Sequence, residues 1–166
     1  MSEKNWDSIE GIIDVGPIVV AHCDNPAKEL MVEFIGNVLM GKIRALLPVS
    51  TFIGAYHILT RYLRVARHDA IVALKKTLSV DSPAYYEEIS KGGAIEALQL
   101  ASINNIQGWD GYLLNIGRIF GTRIIYTLDL QLDSVEGFSA VLPIAEDAIQ
   151  NYHAWVQRIR AKFENK

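Results

Sequence analysis

The chain has 166 residues, of which 50% are hydrophobic, and this is enough for one domain with a single core. Its formal net charge of −3 excludes a generally basic nucleic-acid-binding protein, but not an enzyme that acts on nucleic acid through a local site. The one cysteine, Cys23, excludes an internal disulfide and favours a reducing compartment. Because no apolar run approaches the roughly 20 residues that span a bilayer and the N-terminus does not resemble a signal peptide, we expect a cytoplasmic protein.

The first half of the chain alternates short apolar runs with amphipathic segments. The expected order is strand, helix, strand, helix, helix, over residues 10 to 14, 26 to 40, 42 to 49, 51 to 66 and 68 to 78. Asn25 is placed to cap the first of these helices and Gly41 to end it. Ser50 is placed to cap the helix that begins at Thr51.

The second half is predicted as helix, helix, strand, strand, helix, over residues 82 to 103, 108 to 120, 123 to 129, 137 to 142 and 143 to 164. We expect Gly92 and Gly93 to kink or interrupt the first of these helices, and Gly121 to follow the end of the second. Strands separated by helices imply a parallel sheet that is covered on both faces. The sequence therefore predicts an α/β fold, a three-layer α/β/α sandwich with a central parallel sheet and an added C-terminal helix.

Three aspartates are predicted to share one edge of this sheet. Asp14 and Asp129 follow two buried strands, and the C-terminal ends of parallel strands form the edge where ligands usually bind. Asp110 lies in the first turn of the helix that leads into the strand before Asp129, so that helix must begin at the same edge. Each acid also has a structural interpretation. Asp14 would be a loop or capping acid, Asp110 a first-turn acid favoured by the helix dipole, and Asp129 an Asx-turn residue.

In this order and these settings, the acids resemble those of the PIN domain family, metal-dependent ribonucleases that include VapC-type toxins. The matching stretches are IIDVGPIVV with Asp14, LPVSTFIGAYHILTRYL with Ser50, WDGYLLNIGRIFG with Asp110, and IIYTLD with Thr127 and Asp129. The resemblance implies that the three aspartates are metal ligands and catalytic residues, and that Thr127 is an auxiliary residue that orients a carboxylate or a water.

The resemblance also implies a domain organisation and a chemistry. It divides the chain into an N-terminal tail (1–9), a PIN-like domain (10–143) and a C-terminal helix (144–166) packed on that domain. Hard cations such as Mg²⁺ or Mn²⁺ take oxygen ligands, and in phosphodiester cleavage they activate water and neutralise the developing charge. A metal-bound water would then attack the RNA phosphate in line.

The resemblance fails at one position. PIN domains carry a glutamate on the second helix, where this chain has Tyr56. Tyrosine is a poor Mg²⁺ ligand, although its hydroxyl can hydrogen-bond a carboxylate or a phosphate oxygen, and a core or rim aromatic is the competing interpretation. Three acids with bound waters can still hold one ion, so we expect weaker affinity and the loss of any second ion. Three other acids could substitute, and the sequence does not choose among them: Asp24, Glu33 and Asp133.

Other polar residues have both a functional and a structural interpretation. Arg61, Arg64 and His68 fall on roughly one face of the predicted helical region. They would contact RNA phosphates beside the acidic pocket, or else form an ordinary solvated face. His22 and Cys23 lack two further ligands at zinc-like spacing, so we do not expect zinc.

The leading prediction is a Mg²⁺- or Mn²⁺-dependent endoribonuclease. The alternative is a catalytically weakened or inactive PIN-like module that binds RNA or a protein partner, and Tyr56 favours it. The resemblance further implies a homodimer and, as in the toxin members, an antitoxin partner. Nucleotide-binding loops of the G-x-x-x-x-G-K-[ST] and G-x-G-x-x-G kinds are not found.

Overall fold

A central sheet of five parallel strands organises the structure, a computed structural model that describes residues 8–164. The strands, in chain order, are β1 (Gly11–Ile13), β2 (Ala45–Pro48), β3 (Tyr85–Tyr86), β4 (Ile124–Tyr126) and β5 (Ser139–Val141). Their order across the sheet is β3-β2-β1-β4-β5, and every neighbouring pair is parallel. The strand β1 is therefore central, and its C-terminal tip lies between those of β2 and β4.

Helices cover both faces of this sheet. They are α1 (Val15–Ala21), α2 (Lys28–Leu39), α3 (Ser50–Arg61), α4 (Arg67–Leu78), α5 (Lys91–Asn104), α6 (Gly108–Phe120) and α7 (Glu146–Glu164), with a short 3₁₀ helix at Leu130–Ser134. Side chains alternate between the faces of a strand, so Ile13 packs with the core under α1, α2 and α3, whereas Ile12 packs with the core under α5 and α6. The predicted three-layer α/β/α sandwich is confirmed.

Several element predictions are confirmed to within a few residues. The segments predicted as strands around β1, β2, β4 and β5 all pair in the sheet. The helix α6 ends where expected, since Gly121 follows it in the left-handed region with φ of 70°. Asn25 accepts a 2.9 Å hydrogen bond from the Ala27 backbone N–H, but the prediction that it caps this helix is wrong, because α2 begins at Lys28 and its N-cap is Ala27.

Three further predictions about the elements are wrong. The segment from residue 82 is not helical at its start, because Tyr85–Tyr86 forms the edge strand β3 and α5 begins only at Lys91. Gly92 and Gly93 do not interrupt that helix; they lie in its first turn, where Ser90 caps it by accepting from the Gly93 N–H at 3.0 Å. Ser50 does not cap α3 but is its first residue, and its hydroxyl makes no capping bond.

The C-terminal helix α7 packs on the domain through Ala148, Ile149 and Tyr152, which are buried in the same core as α1 and α2. At the other end, Ile9 packs against the second core, and the remainder of the predicted tail, residues 1–7, lies outside the described residues. No helix in the described part of the chain is both long and apolar enough to cross a membrane.

Candidate functional site

Asp14 occupies the turn between the central strand β1 and α1. It is the N-cap of α1, and its Oδ1 accepts a 2.6 Å hydrogen bond from the Val15 backbone N–H. Only 7% of Asp14 is exposed, which is unusual for a carboxylate. Strand and helix geometry therefore fix a nearly buried acid at the centre of the C-terminal edge of the sheet.

Thr127 connects Asp14 to the neighbouring strand. The register of β1 and β4 pairs Ile13 with Tyr126, so the residue after each strand lies beside the other. Thr127 is fully buried, and its Oγ1 donates a 2.7 Å hydrogen bond to Oδ2 of Asp14. The same oxygen accepts from the Asp129 backbone N–H at 3.0 Å. Thr127, the predicted auxiliary residue, is thus hydrogen-bonded to the carboxylate of Asp14 and to the backbone of Asp129.

Asp129 is exposed and also caps the 3₁₀ helix that follows β4. Its Oδ1 accepts from the Gln131 backbone N–H at 2.9 Å, which is the Asx-type interaction considered from the sequence. This capping role uses one carboxylate oxygen and leaves the second available.

Asp110 reaches the same rim from α6. It lies in the first turn of that helix and is half-buried. The next residue, Gly111, allows close helix packing, because a Cβ there would collide with the Ala97 carbonyl and approach the Ala101 Cβ and backbone N–H to 3.0 Å. The close contact between α5 and α6 therefore positions the turn that carries Asp110.

The three carboxylates act on one another electrostatically. Burial, followed by the negative charge of Asp14 and then that of Asp129, raises the pKa of Asp110 to about 6, although the Gln107 backbone N–H opposes the rise. Burial also raises the pKa of Asp14, and Asp129 adds to this effect, whereas Thr127, Val15 and the Trp109 indole lower it. Asp14, Asp110 and Asp129 are therefore neighbours on one rim.

No basic side chain within residues 8–164 forms an ion pair with these acids. The ion pairs in that range join Lys28 to Asp24 and Arg44 to Glu10. The geometry also stops short of a preassembled metal site, since no group of three or more His, Cys, Asp or Glu side chains in that range is drawn together closely enough to hold a metal ion.

Two buried polar atoms near this rim lack a hydrogen-bond partner in the described structure, the Ser50 Oγ and the Trp109 Nε1. Ser50 follows β2 and is 8% exposed. Burial raises the pKa of the Tyr112 phenol, and the nearby Ser50 hydroxyl lowers it by a smaller amount. The two hydroxyls nevertheless do not reach hydrogen-bond geometry. Trp109 likewise lowers the pKa of Asp14, although its indole N–H makes no hydrogen bond of ordinary geometry. That these two atoms are left unpaired could not be predicted from the sequence, since it depends on packing between elements.

Tyr56 lies on α3 and packs, partly buried, against the larger core. The whole helix, STFIGAYHILTR, contains no acidic residue. The helix that would supply a fourth carboxylate by resemblance to PIN domains therefore contributes none.

The three alternative acids have other positions or partners. Asp24 is exposed and pairs with Lys28 at 2.6 Å. Asp133 accepts a 2.7 Å hydrogen bond from the Ala140 backbone N–H, which ties the 3₁₀ helix to β5. Glu33 is exposed on α2. None of them is among the charges that shift the pKa of Asp14 or Asp110.

The residues proposed for RNA contact do not share one helical face. The helix α3 ends at Arg61, and His68 belongs to the next helix, α4. Between them, Arg64 adopts a left-handed backbone with φ of 58°, and its guanidinium lies 5.7 Å from the centre of the Phe163 ring on α7. The prediction of a common face is wrong because the chain turns between residues 62 and 66. Arg61 is also a full helix length, about 18 Å, from the rim end of α3.

His22 has a structural role. Its Nδ1 donates to the Ile18 carbonyl at 2.6 Å, and its Nε2 lies 2.7 Å from the Thr77 hydroxyl, which links α1 to α4. Burial lowers the His22 pKa and raises that of Cys23 to about 11. Both groups are therefore neutral at pH 7 and contribute to packing.

Comparison of the sequence with known protein families and with curated proteins finds no match.

Proposed function

We propose that this chain is a PIN-like endoribonuclease that uses Mg²⁺ or Mn²⁺. The observation that carries the proposal is the proximity of Asp14, Asp110 and Asp129 on one rim, where Asp14 and Asp129 raise the pKa of Asp110, Asp129 raises that of Asp14, and no described basic side chain pairs with them. Such an arrangement is electrostatically unfavourable unless a cation joins it, because like charges in a partly buried site repel.

The donor set fits a hard divalent cation. Carboxylate oxygens are the ligands that Mg²⁺ and Mn²⁺ prefer, and Mg²⁺ commonly keeps several waters, so three protein ligands are sufficient. Asp14, Asp110 and Asp129 would hold the ion. When bound, it would supply charge neutralisation at the phosphate and a lowered pKa for an attacking water.

The residues of the chain have separate roles in this proposal. Thr127 restrains the Asp14 carboxylate, so this ligand is oriented before any ion arrives. Asp110 has a pKa of about 6, so it is mainly ionised at neutral pH and mainly protonated at pH 5. Metal binding should therefore weaken on acidification.

The choice of RNA as substrate is supported by the resemblance to PIN domains, whose motifs occur here in the same order and in the settings that the sequence predicts. The net charge of −3 is compatible with a local site rather than a broad basic surface. We extend the proposal, on the same resemblance, to a cytoplasmic homodimer and to an antitoxin as protein partner.

A second candidate is a PIN-like module that binds RNA or a protein without catalysis. The observation that favours it is the absence of any acid on α3, where Tyr56 packs against the core. A lost ligand weakens cation binding, so such a module would retain its fold and its partner while losing turnover.

Cleavage of a single-stranded RNA pool, with and without added Mn²⁺ or Mg²⁺, tests the proposal. We expect cleavage that requires the ion and is lost in Asp14→Asn, while Asp24→Asn, which alters an exposed acid in a surface ion pair, cleaves normally. Metal-dependent turnover would exclude the binding module. RNA binding without cleavage and without a calorimetric signal for Mn²⁺ would favour that module and contradict the enzyme.

A further inference from the structure

The indole N–H of Trp109 is a buried donor without an acceptor. Its Nε1 is inaccessible to solvent and has no hydrogen-bond partner in the described structure. A buried donor left unsatisfied loses its bond to water without gaining another, so native proteins seldom keep one without a reason. The position of this atom therefore requires an explanation.

The surrounding structure holds the indole in place. Its ring lies against that of Tyr112, with centroids 5.5 Å apart and planes tilted by 51°, and it packs on the core under α5 and α6. Trp109 also immediately precedes Asp110 in the first turn of α6. This turn packs closely against α5 because Gly111 has no Cβ. The N–H direction is thus set by packing on two sides.

The Asp14 carboxylate is the candidate acceptor, because the Trp109 indole lies close enough to lower the pKa of Asp14, although it makes no hydrogen bond of ordinary geometry. Asp14 already accepts from Val15 through Oδ1 and from Thr127 through Oδ2. An ionised carboxylate has about four acceptor positions, so it can take a third donor as well as a cation. Thr127 approaches from β4 and Trp109 from α6, so the two donors approach Asp14 from different elements.

We infer that Trp109 is a positioning residue for Asp14, and that its indole N–H donates to the Asp14 carboxylate when that carboxylate binds the divalent cation. The inference rests on the proposed function for the identity of the cation. Donors to a ligating carboxylate fix its orientation, and their removal typically lowers metal affinity by about 10–100-fold. Trp109 and Thr127 then form a pair of donors that prepares the central ligand.

Two variants and one spectrum test this inference. Trp109→Phe keeps an aromatic ring at this position and removes the N–H donor together with part of the indole, a change in volume that the control variant shares. Trp155→Phe is the matched control, since Trp155 lies on α7, stacked on Tyr152 at 5.9 Å, in the other core. Mg²⁺ affinity is measured by calorimetry on each. We expect a loss of about 10-fold in Trp109→Phe and less than twofold in Trp155→Phe.

The spectrum uses the wild-type chain, so it does not depend on the folding of Trp109→Phe. The chain has three tryptophans, whose indole N–H signals are assigned with Trp6→Phe and Trp155→Phe. On titration with Mg²⁺, we expect the Trp109 N–H signal to move downfield as the bond to Asp14 forms, while the Trp155 signal stays in place.

The outcomes separate this inference from the function on which it rests. If the wild-type chain binds Mg²⁺ but Trp109→Phe binds it equally well, or if the Trp109 signal does not move, the inference is overturned and the metal site stands. If the wild-type chain shows no Mg²⁺ binding at all, both the proposed function and this inference are overturned.

Discussion

The Thr127 hydroxyl donates a 2.7 Å hydrogen bond to Oδ2 of Asp14, across 113 residues of chain. Both side chains are buried, and they follow adjacent parallel strands whose register places them side by side. Because Oγ1 of Thr127 also accepts from the Asp129 N–H, one hydroxyl is hydrogen-bonded to two of the three aspartates. The rim is thus organised by hydrogen bonds as well as by strand order.

Thr127→Val removes this hydroxyl with almost no change in shape. It leaves the buried Asp14 carboxylate without its side-chain donor, so we expect a loss of about 1.5–3 kcal/mol in the free energy of unfolding, measured with urea. Thr127→Ser keeps the hydroxyl and should lose much less. A loss in Thr127→Ser as large as that in Thr127→Val would contradict a dominant role of the hydrogen bond, and a larger one would assign the stability to the methyl group.

Gly111→Ala tests whether close packing of α5 and α6 supports the rim. The added Cβ would collide with the Ala97 carbonyl, so the helices must move apart, and we expect a destabilisation of about 1–3 kcal/mol. Gly36→Ala is the control, because a Cβ there meets nothing within 4 Å on α2 and should stabilise that helix by about 0.5–1 kcal/mol. A neutral effect of Gly111→Ala on thermal unfolding would contradict the packing argument.

Asp110→Asn should stabilise the metal-free protein at neutral pH. Because the folded-state pKa of Asp110 is raised from 3.8 to about 6, the folded state holds its proton longer than the unfolded state. Stability from this group is therefore full below pH 4, falls as the pH rises towards 6, and stays lost above it. Removing the charge recovers part of that loss, and because Asp110 is only half-buried and solvent screens its charge, we expect roughly 1 kcal/mol at pH 7, a melting temperature higher by about 2–4 °C.

The pH dependence distinguishes this effect from a general gain in stability. The difference between Asp110→Asn and the wild type should vanish near pH 3, where Asp110 is largely protonated in both the folded and the unfolded wild-type chain. Asp81→Asn, in an exposed loop, should show no difference at either pH. Added Mg²⁺ should raise the melting temperature of the wild type and leave that of Asp110→Asn nearly unchanged. A gain that is constant with pH would contradict the assignment.

Tyr56→Glu tests the missing carboxylate. If α3 of this chain occupies the place of the second PIN helix, a glutamate at this position adds an oxygen ligand, and Mn²⁺ affinity should increase about 10-fold or more. The substitution also removes partly buried aromatic packing, so some stability should be lost. Tyr56→Gln has the same packing loss without the charge. Equal Mn²⁺ affinity in the two variants would place Tyr56 away from the rim.

Much of the fold follows from local patterns in the sequence. Apolar runs such as ALLP of β2 and IIY of β4 are short, bounded by turn residues and separated by helices, and this combination is typical of a parallel sheet. The strand β3 could not be found in this way. It has two residues, sits beside polar ones, and owes its conformation to pairing with β2 at the edge of the sheet.

The helix α1 was not predicted either. Its sequence, VGPIVVA, is rich in β-branched residues and apolar on every side, so it shows no helical periodicity. Burial between the sheet and α3 selects the helix, and Asp14 caps it. The rim position of the three acids was predicted because it follows from the direction of the parallel strands and of the helix that leads into β4. The unpaired Trp109 N–H was not predicted. Its lack of an acceptor results from packing against Tyr112 and from α6 lying close to β1.

The central claim is that Asp14, Asp110 and Asp129 together hold a divalent cation. Crystals of the wild-type chain soaked in Mn²⁺ at neutral pH test it most directly, through the anomalous difference map. We predict a peak that lies between the three carboxylates and disappears in Asp14→Asn crystals. A map with no peak at this rim, from crystals in which Mn²⁺ is found elsewhere on the protein, would contradict the claim.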